Sequence, residues 1–391
     1  MFCYDNINIS SSIFVEQRGA ATPAKVQSGT FGILYELRNA SLEDLKLPPI
    51  LSRYRSFKGL SPSDLRLSLD QLTCLSHQFS VIILQILFKH CSHYSDYASD
   101  PDLQPISRRP LAVDRKTKQF PLRTTTIEEA SIQGNLTVHD DTYLNQLKRE
   151  AKDLIHYAIP SVNDQSTNAR IRGGQALRIN DLNPWTRRDI LQLGFGLFHL
   201  CMNLIWALLH IHRGSLHQIG SLTYFFTLME KARLGAEHPD YHTLLAALTQ
   251  ILEGIILSAW LDELGDLAKF AKTKPSAQDL LFRAQSILNR STCPLENWRK
   301  GPKAKGDPVP PYSDAPDPLN DIAHQNILLL TRDLLYVIEL TSAISGGDFG
   351  RVEDLLPTLA KIFRGAGSNN YCTEILHFLA NLKHIWTAKF A

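Results

Sequence analysis

Apolar residues recur at helical spacing through most of the chain and alternate in a strand-like way only near its start. Residues 2–9 and 30–35 carry the strand-like runs, separated by a stretch rich in Gly, Ala, Pro and Ser. Ser61-Pro62-Ser63-Asp64 supplies an N-cap, a proline at the first helical position and an acid at the third. The apolar run 79–88 then predicts a buried helix that ends near His90-Cys91-Ser92-His93. Residues 131–138 read as a turn feeding a short strand, and 141–158 as a helix broken by 160–168. From Gly196 onward the pattern predicts helices over 197–213, 218–233, 240–263, 276–290, 320–345, 350–364 and 370–387. Ser276-Ala-Gln-Asp279 resembles a capping box, and Gly365 and Gly367 suit the end of a helix.

This pattern predicts an α+β fold, predominantly α-helical, with a small mixed sheet and a large helical region. The expected division is a mixed α/β region with a helical insertion over 1–190, helices over 191–298, a linker or loop over 299–319, and C-terminal helices over 320–391 that pack on the rest. The break is marked by six prolines and four Lys or Arg within 299–318. The apolar helices 197–213, 244–261 and 327–344 are expected to pack together as the helical core.

The run 193–211 approaches the length that spans a bilayer. It contains His199, Asn203 and His210 and lacks the usual flanking anchors, so a buried core helix is expected rather than a membrane contact. Composition does not alter this picture: of 391 residues, 44% are hydrophobic and 20% charged. A formal charge of +2 gives no global attraction to nucleic acid or anionic lipid, so any such contact has to come from a local patch. Six scattered cysteines without a Cys-x-x-Cys pair argue against a zinc ribbon or a disulfide framework, which favours a reducing, intracellular setting in nucleus or cytoplasm. Residues 1–8 show neither the basic nor the apolar region of a signal peptide.

Candidate chemistry is sparse. Tyr4-Asp5-Asn6 closes a strand-like run, and an Asp there suits a magnesium or manganese ion, which prefers hard carboxylate oxygens. A turn-forming Asp-Asn pair is the commoner meaning of such a motif. His199, His210, His212 and His217 crowd one region, but helical geometry keeps them from sharing one ion, and a helix C-terminus is a sufficient reason for them. Arg108, Arg109, Arg115, Lys116 and Lys118 form one basic cluster, and Arg299, Lys300, Lys303 and Lys305 another; both are candidates for phosphate contact with nucleic acid. Neither is interleaved with the aromatics that would stack bases. There is no Gly-x-x-x-x-Gly-Lys-Ser/Thr loop and no Gly-x-Ser-x-Gly elbow. Gly346-Gly-Asp-Phe-Gly350 reads as a turn between helices, with Asp348 as a cap.

Several segments, taken in order, resemble an uncharacterised family, a domain of unknown function abundant in mushroom-forming fungi. They are Tyr4-Asp-Asn-Ile-Asn8, Ser28-Gly-Thr30, Ser95-Asp-Tyr97, Ile132-Gln-Gly-Asn135, Phe198-His199 with Asn203, and Gly365-x-Gly-x-Asn-x-Tyr371 with Glu374. The resemblance implies descent from a transposase with an RNase H-like core, in which three acids hold two metal ions for strand cleavage and transfer. Asp5 would be one acid and Glu374 a helix-borne one. Where the family usually reads Gly-Asp-Gln-Leu and Gly-Asp-Phe-His, this chain is read as Arg172-Gly-Gly-Gln-Ala-Leu177 and Gly196-Leu-Phe-His-Leu200. Gly174 and Leu197 thus stand where the resemblance places acids, and neither ligates a metal through its side chain. Family members also carry a long segment before the Tyr-Asp-Asn motif. The expected function is therefore a catalytically inactive, N-terminally truncated descendant without a cofactor. The alternatives are a surviving magnesium- or manganese-dependent nuclease or strand-transferase, and a helical scaffold that binds protein or nucleic acid. Partner and oligomeric state have no signature in the sequence.

Overall fold

A computed structural model describes residues 1–10, 26–37, 40–114, 116–292 and 321–391. Its strands are β1 (Phe2–Ser10), β2 (Val26–Tyr35), β3 (Gln119–Pro121), β4 (Ile159–Asn163) and β5 (Leu191–Phe195). Its helices begin with α1 (Leu47–Ser56), α2 (Leu69–His90), α3 (Ile132–Asp140), α4 (Ala151–Leu154), α5 (Gln165–Leu177) and α6 (Leu197–His212). They continue with α7 (Leu222–Leu228), α8 (Tyr241–Leu264), α9 (Leu267–Ala271) and α10 (Ala277–Thr292). The last three are α11 (Ile322–Ser345), α12 (Phe349–Gly365) and α13 (Asn369–Ala380). The α+β, predominantly helical fold expected from the sequence is the one observed.

The chain divides into two compact units that interleave along the sequence. One comprises 1–65, 112–200 and 369–391, the other 66–111 and 201–368. The sequence pattern had instead suggested contiguous segments meeting at 190, 298 and 319, and the linker or loop over 299–319 lies outside the described residues.

The first unit holds the sheet, in the order β3-β2-β1-β4-β5. β2 runs antiparallel to both β1 and β3, whereas β1, β4 and β5 are mutually parallel. Alternation along β1 turns Phe2 and Tyr4 into the interior, at 0% and 2% exposure, and leaves Asp5 exposed. The Phe2 and Tyr4 rings stack at 5.0 Å, and the imidazole of His139 on α3 meets the Tyr4 ring edge-on. On the other flank α13 lays Phe378 against Phe195 of β5, with ring centroids 4.8 Å apart.

The second unit is a helical assembly whose buried residues include Val81, Ile83 and Leu87 of α2, Leu252, Ile256 and Trp260 of α8, and Leu330, Leu335 and Leu340 of α11. Trp260 donates its indole N–H to the carbonyl of Ile83 at 3.1 Å, which satisfies the one polar atom of a ring that is otherwise wholly buried. α2 starts at a capping box, with Ser68 Oγ accepting from Gln71 N–H and Gln71 Oε1 from Ser68 N–H. Asp348 caps α12, and Ser276, just before α10, exchanges reciprocal bonds with Asp279 in its first turn, as the sequence suggests.

Several elements differ from expectation. Residues 131–138 form most of α3 rather than a strand, because Ser131 caps the helix through Gly134 N–H at 2.9 Å and its apolar face packs on α5. The expected helix over 141–158 is a π-turn at Asp141–Gln146 followed by the single turn of α4, with Lys148 in the left-handed region between them. Ser61–Asp64 opens only a 3-10 turn, and α2 begins later. The expected helix 218–233 shrinks to α7, between positive-φ residues Gly220 and Glu230. The apolar run 193–211 is split between β5 and α6. Among the described residues, two helical stretches, Pro62–His90 and Tyr241–Leu264, are long and apolar enough to cross a membrane by length and composition. The apolar windows of both contribute to the interior.

Candidate functional site: carboxylates beside the central strand

β1 and β4 are neighbouring parallel strands, and the place where a parallel sheet changes its direction of winding is where side chains meet a ligand without competition from the chain itself. The register Phe2↔Ser161 sets Asp164, just past the end of β4, level with Asp5. Asp164 also caps α5, its Oδ1 accepting from Thr167 N–H at 2.6 Å. Asp5 is exposed, accepts from Asn6 N–H at 2.8 Å, and has His199 Nε2 at 4.0 Å from its Oδ2. His199 sits in the first turn of α6, and Gly196 N–H bonds to Asn163 O at 3.0 Å, so the end of β5 is tied to the end of β4.

A third carboxylate joins them from the segment before α3. Gly134 permits this: a Cβ there would lie 2.0 Å from the carbonyl oxygen of Glu128, so only glycine lets the preceding backbone fold back onto the helix start. Asn135 Nδ2 then donates to Glu129 O at 2.7 Å and fixes the turn. The Glu129 residue is 1% exposed, its Oε1 accepts from Thr167 Oγ1 at 3.2 Å, and its Oε2 has no hydrogen-bond partner. Burial, reinforced by the negative charges of Asp5 and Asp164, pushes its carboxyl up to about 7, while the Thr167 hydroxyl and the Arg170 guanidinium act the other way. Burial likewise raises the Cys3 thiol, with Asp5 and Glu129 adding to it. Beneath them, Tyr4 Oη donates to Asn135 Oδ1 at 2.7 Å and lies 3.0 Å from His139 Nε2. Burial, and secondarily the charge of Arg188, drives the His139 imidazole down to about 3, so it is neutral.

Glu374 belongs to a separate network. Arg172 spans both its carboxylate oxygens, and Asn168 Nδ2 donates to its Oε1 at 2.8 Å and to Gly194 O at 2.8 Å. Asn163 Nδ2 reaches Asn168 Oδ1 at 3.1 Å, so the network ends one residue before Asp164. Three donors already engage Glu374, which leaves it a structural acid in this conformation.

The other sequence candidates fall in different places. Gly174 is not at a strand end: it lies in the last turns of α5, where a Cβ would meet Leu136 at 3.4 Å and Ile132 at 3.5 Å of α3. Asn163-Asp164-Gln165, by contrast, does stand at the end of β4. Leu197 does stand at the C-terminal end of β5, two residues before His199. Asp181, the acid seven residues beyond Gly174, pairs with Arg178. Arg108 is held by Asp70 and Asp354, and Arg109 by Glu353 and the Phe349 ring, so both serve the packing of the second unit. Lys116 and Lys118 belong to the first unit, where Lys118 pairs with Glu36 at 3.4 Å. Arg115 and the cluster at Arg299, Lys300, Lys303 and Lys305 lie outside the described residues. His212 shares Asp333 with Arg332, and His90 shares Glu253 with Lys89, so each is held in a local ion-pair cluster. Among the described residues no three His, Cys, Asp or Glu side chains already converge as a ready metal site.

A family profile matches residues 55–391. The chain belongs to a family of unknown function, DUF6589. The matched span contains Glu129, Asp164, His199 and Glu374, and begins after β1 and β2, so Asp5 precedes it. No curated protein and no solved structure matches the chain.

Sequence reading missed Asp164 and Glu129. The first was hidden because Pro160 suggests a break, and proline is rare inside a sheet, so β4 went unread. The second follows no strand-like run and is brought in by the turn before α3.

Proposed function

We propose that this chain is a transposase-like, RNase H-like descendant that binds a divalent cation together with a phosphodiester of nucleic acid but no longer cleaves it. The observation that carries this reading is Asp5 on the central strand of a 3-2-1-4-5 sheet with Asp164 level with it, just past the end of the parallel neighbour β4. An antiparallel trio extended by two parallel strands, with acids on the middle strand and at the end of its parallel neighbour, is the arrangement expected of an RNase H-like core. The donor set suits magnesium or manganese, which prefer hard carboxylate oxygens, here on one exposed and one half-buried side chain, and which keep water or substrate oxygens in their remaining positions. When bound, such an ion would neutralise phosphate charge and activate an oxygen nucleophile. Asp5 and Asp164 would hold it, and His199 would face the same ligand.

Loss of cleavage follows from Leu197, whose isobutyl group takes the place at the end of β5 where the family pattern carries an acid, and from Glu374, which is occupied by Arg172. An intracellular setting is part of the same reading, supported by the five described cysteines, all of which are free thiols.

Calorimetric titration of the purified chain with Mn²⁺, with and without a short single-stranded oligonucleotide, tests the proposal. Saturable binding that the oligonucleotide strengthens and that Asp5→Asn or Asp164→Asn removes is the expected result. An absence of saturable heat in the wild type overturns it, and cation-dependent cleavage by the wild type overturns its silent half.

A further inference from the structure

Burying a carboxylate oxygen with nothing to bond to is costly, more so for a charged group than for a neutral one. An orphaned buried oxygen therefore calls for a ligand, an ion or a role. Glu129 Oε2 is such an atom. The residue is almost wholly enclosed, the backbone that presents it is fixed by Asn135 and by the close approach at Gly134, and its charge is felt by Cys3 and Tyr4 on β1. Thr167 ties Glu129 to Asp164, giving its N–H to Asp164 Oδ1 at 2.6 Å and its hydroxyl to Glu129 Oε1 at 3.2 Å, and the parallel register of β1 and β4 sets Asp164 level with Asp5.

We infer that Glu129 is a third oxygen ligand of the cation site, with its unpartnered Oε2 as the donor atom. The inference rests on the proposed cation site at Asp5 and Asp164 and adds to it a residue that lies on none of the sheet strands. It supplies the acid that neither Leu197 nor Glu374 offers. The three carboxylates do not converge on one point in this conformation. Asp5, whose side chain is 60% exposed, is the one that would have to turn to join them, whereas Glu129 and the Asp164 cap are held by Thr167.

Mn²⁺ affinity of the full chain, measured by calorimetry for wild type, Glu129→Gln and Asp164→Asn, tests the inference. Gln keeps the size of Glu and its acceptor for Thr167, so the expected outcome is a folded variant that binds Mn²⁺ about tenfold or more weaker, within the range typical of lost metal-site support. Should circular dichroism show that Glu129→Gln does not fold, Glu129→Asp serves in its place. It keeps the acid but withdraws it by one methylene, and weaker binding is again expected. If Asp164→Asn abolishes binding while the Glu129 variant binds as the wild type does, Glu129 is only a buried structural acid and the inference falls while the cation site stands. If the wild type shows no saturable binding, both fall together.

Discussion

The guanidinium of Arg172, on α5, spans both carboxylate oxygens of Glu374, on α13. Glu374 is 3% exposed at its side chain and Arg172 23%, so the two partners differ in what they lose when separated. Arg172→Ala leaves an uncompensated charge inside and should cost about 3–5 kcal/mol. Glu374→Gln leaves a guanidinium that reaches water and should cost less. Urea unfolding of each single variant and of the double variant checks this, and strictly additive effects would show that the pair is not coupled.

Stability should be bell-shaped in pH. Glu129 has its carboxyl raised to about 7 in the fold, so its contribution is complete below the ordinary value of 4.5 and lost as pH rises through about 7. His139 is held down to about 3, so its contribution is complete above the ordinary value of 6.5 and lost as pH falls from there towards about 3. Urea midpoints across the pH range should peak between the two limbs in the absence of divalent cation. Glu129→Gln should flatten the alkaline limb and His139→Gln the acid one; an unchanged profile in both variants would refute the assignment.

Restoring an acid at the two positions suggested by family resemblance should give opposite results. Gly174→Asp forces a charge between α5 and Leu136 and Ile132 of α3, so a large drop in melting temperature is expected, with no gain in cation binding. Leu197→Asp adds an acid to the first turn of α6, where the helix dipole favours it. It should leave the melting temperature nearly unchanged and tighten Mn²⁺ binding. Equal destabilisation by the two substitutions would contradict the placement of both residues.

The helical unit should be far more sensitive in its interior than at its basic cluster. Leu204 and Ile256 are both 0% exposed, and a charge at either should unfold or severely destabilise the protein. Arg109 is half exposed in its pair with Glu353, and pairs of that kind contribute about 0–1 kcal/mol. Thermal unfolding of Leu204→Asp, Ile256→Asp and Arg109→Ala decides the matter, and comparable shifts would mean that the core is elsewhere.

Much of the helical half is legible because long amphipathic runs with caps carry their own signal. Ser276 with Asp279, Asp348 and Gly365 mark ends that the structure keeps to within a residue or two. β1 and β2 are equally legible from alternation. The rest of the sheet is not. β3 has three exposed residues, β4 contains a proline, and β5 is indistinguishable from the apolar run of α6. Periodicity reports only neighbours along the chain, whereas these strands exist because β1 and β2 give them edges to pair with.

The same limit governs the candidate site. Asp5 is readable as an acid on a strand-like run. Asp164 and Glu129 acquire meaning only when the parallel register and the close turn at Gly134 bring them beside Asp5. Composition and local pattern determined the helical α+β class, the buried helices α8 and α11, and the lack of nucleotide loops. Tertiary pairing decided which acids are neighbours, which acid is already held by an arginine, and which buried oxygen lacks a partner. Electrostatic coupling falls with distance in space, and distance along the sequence does not encode it.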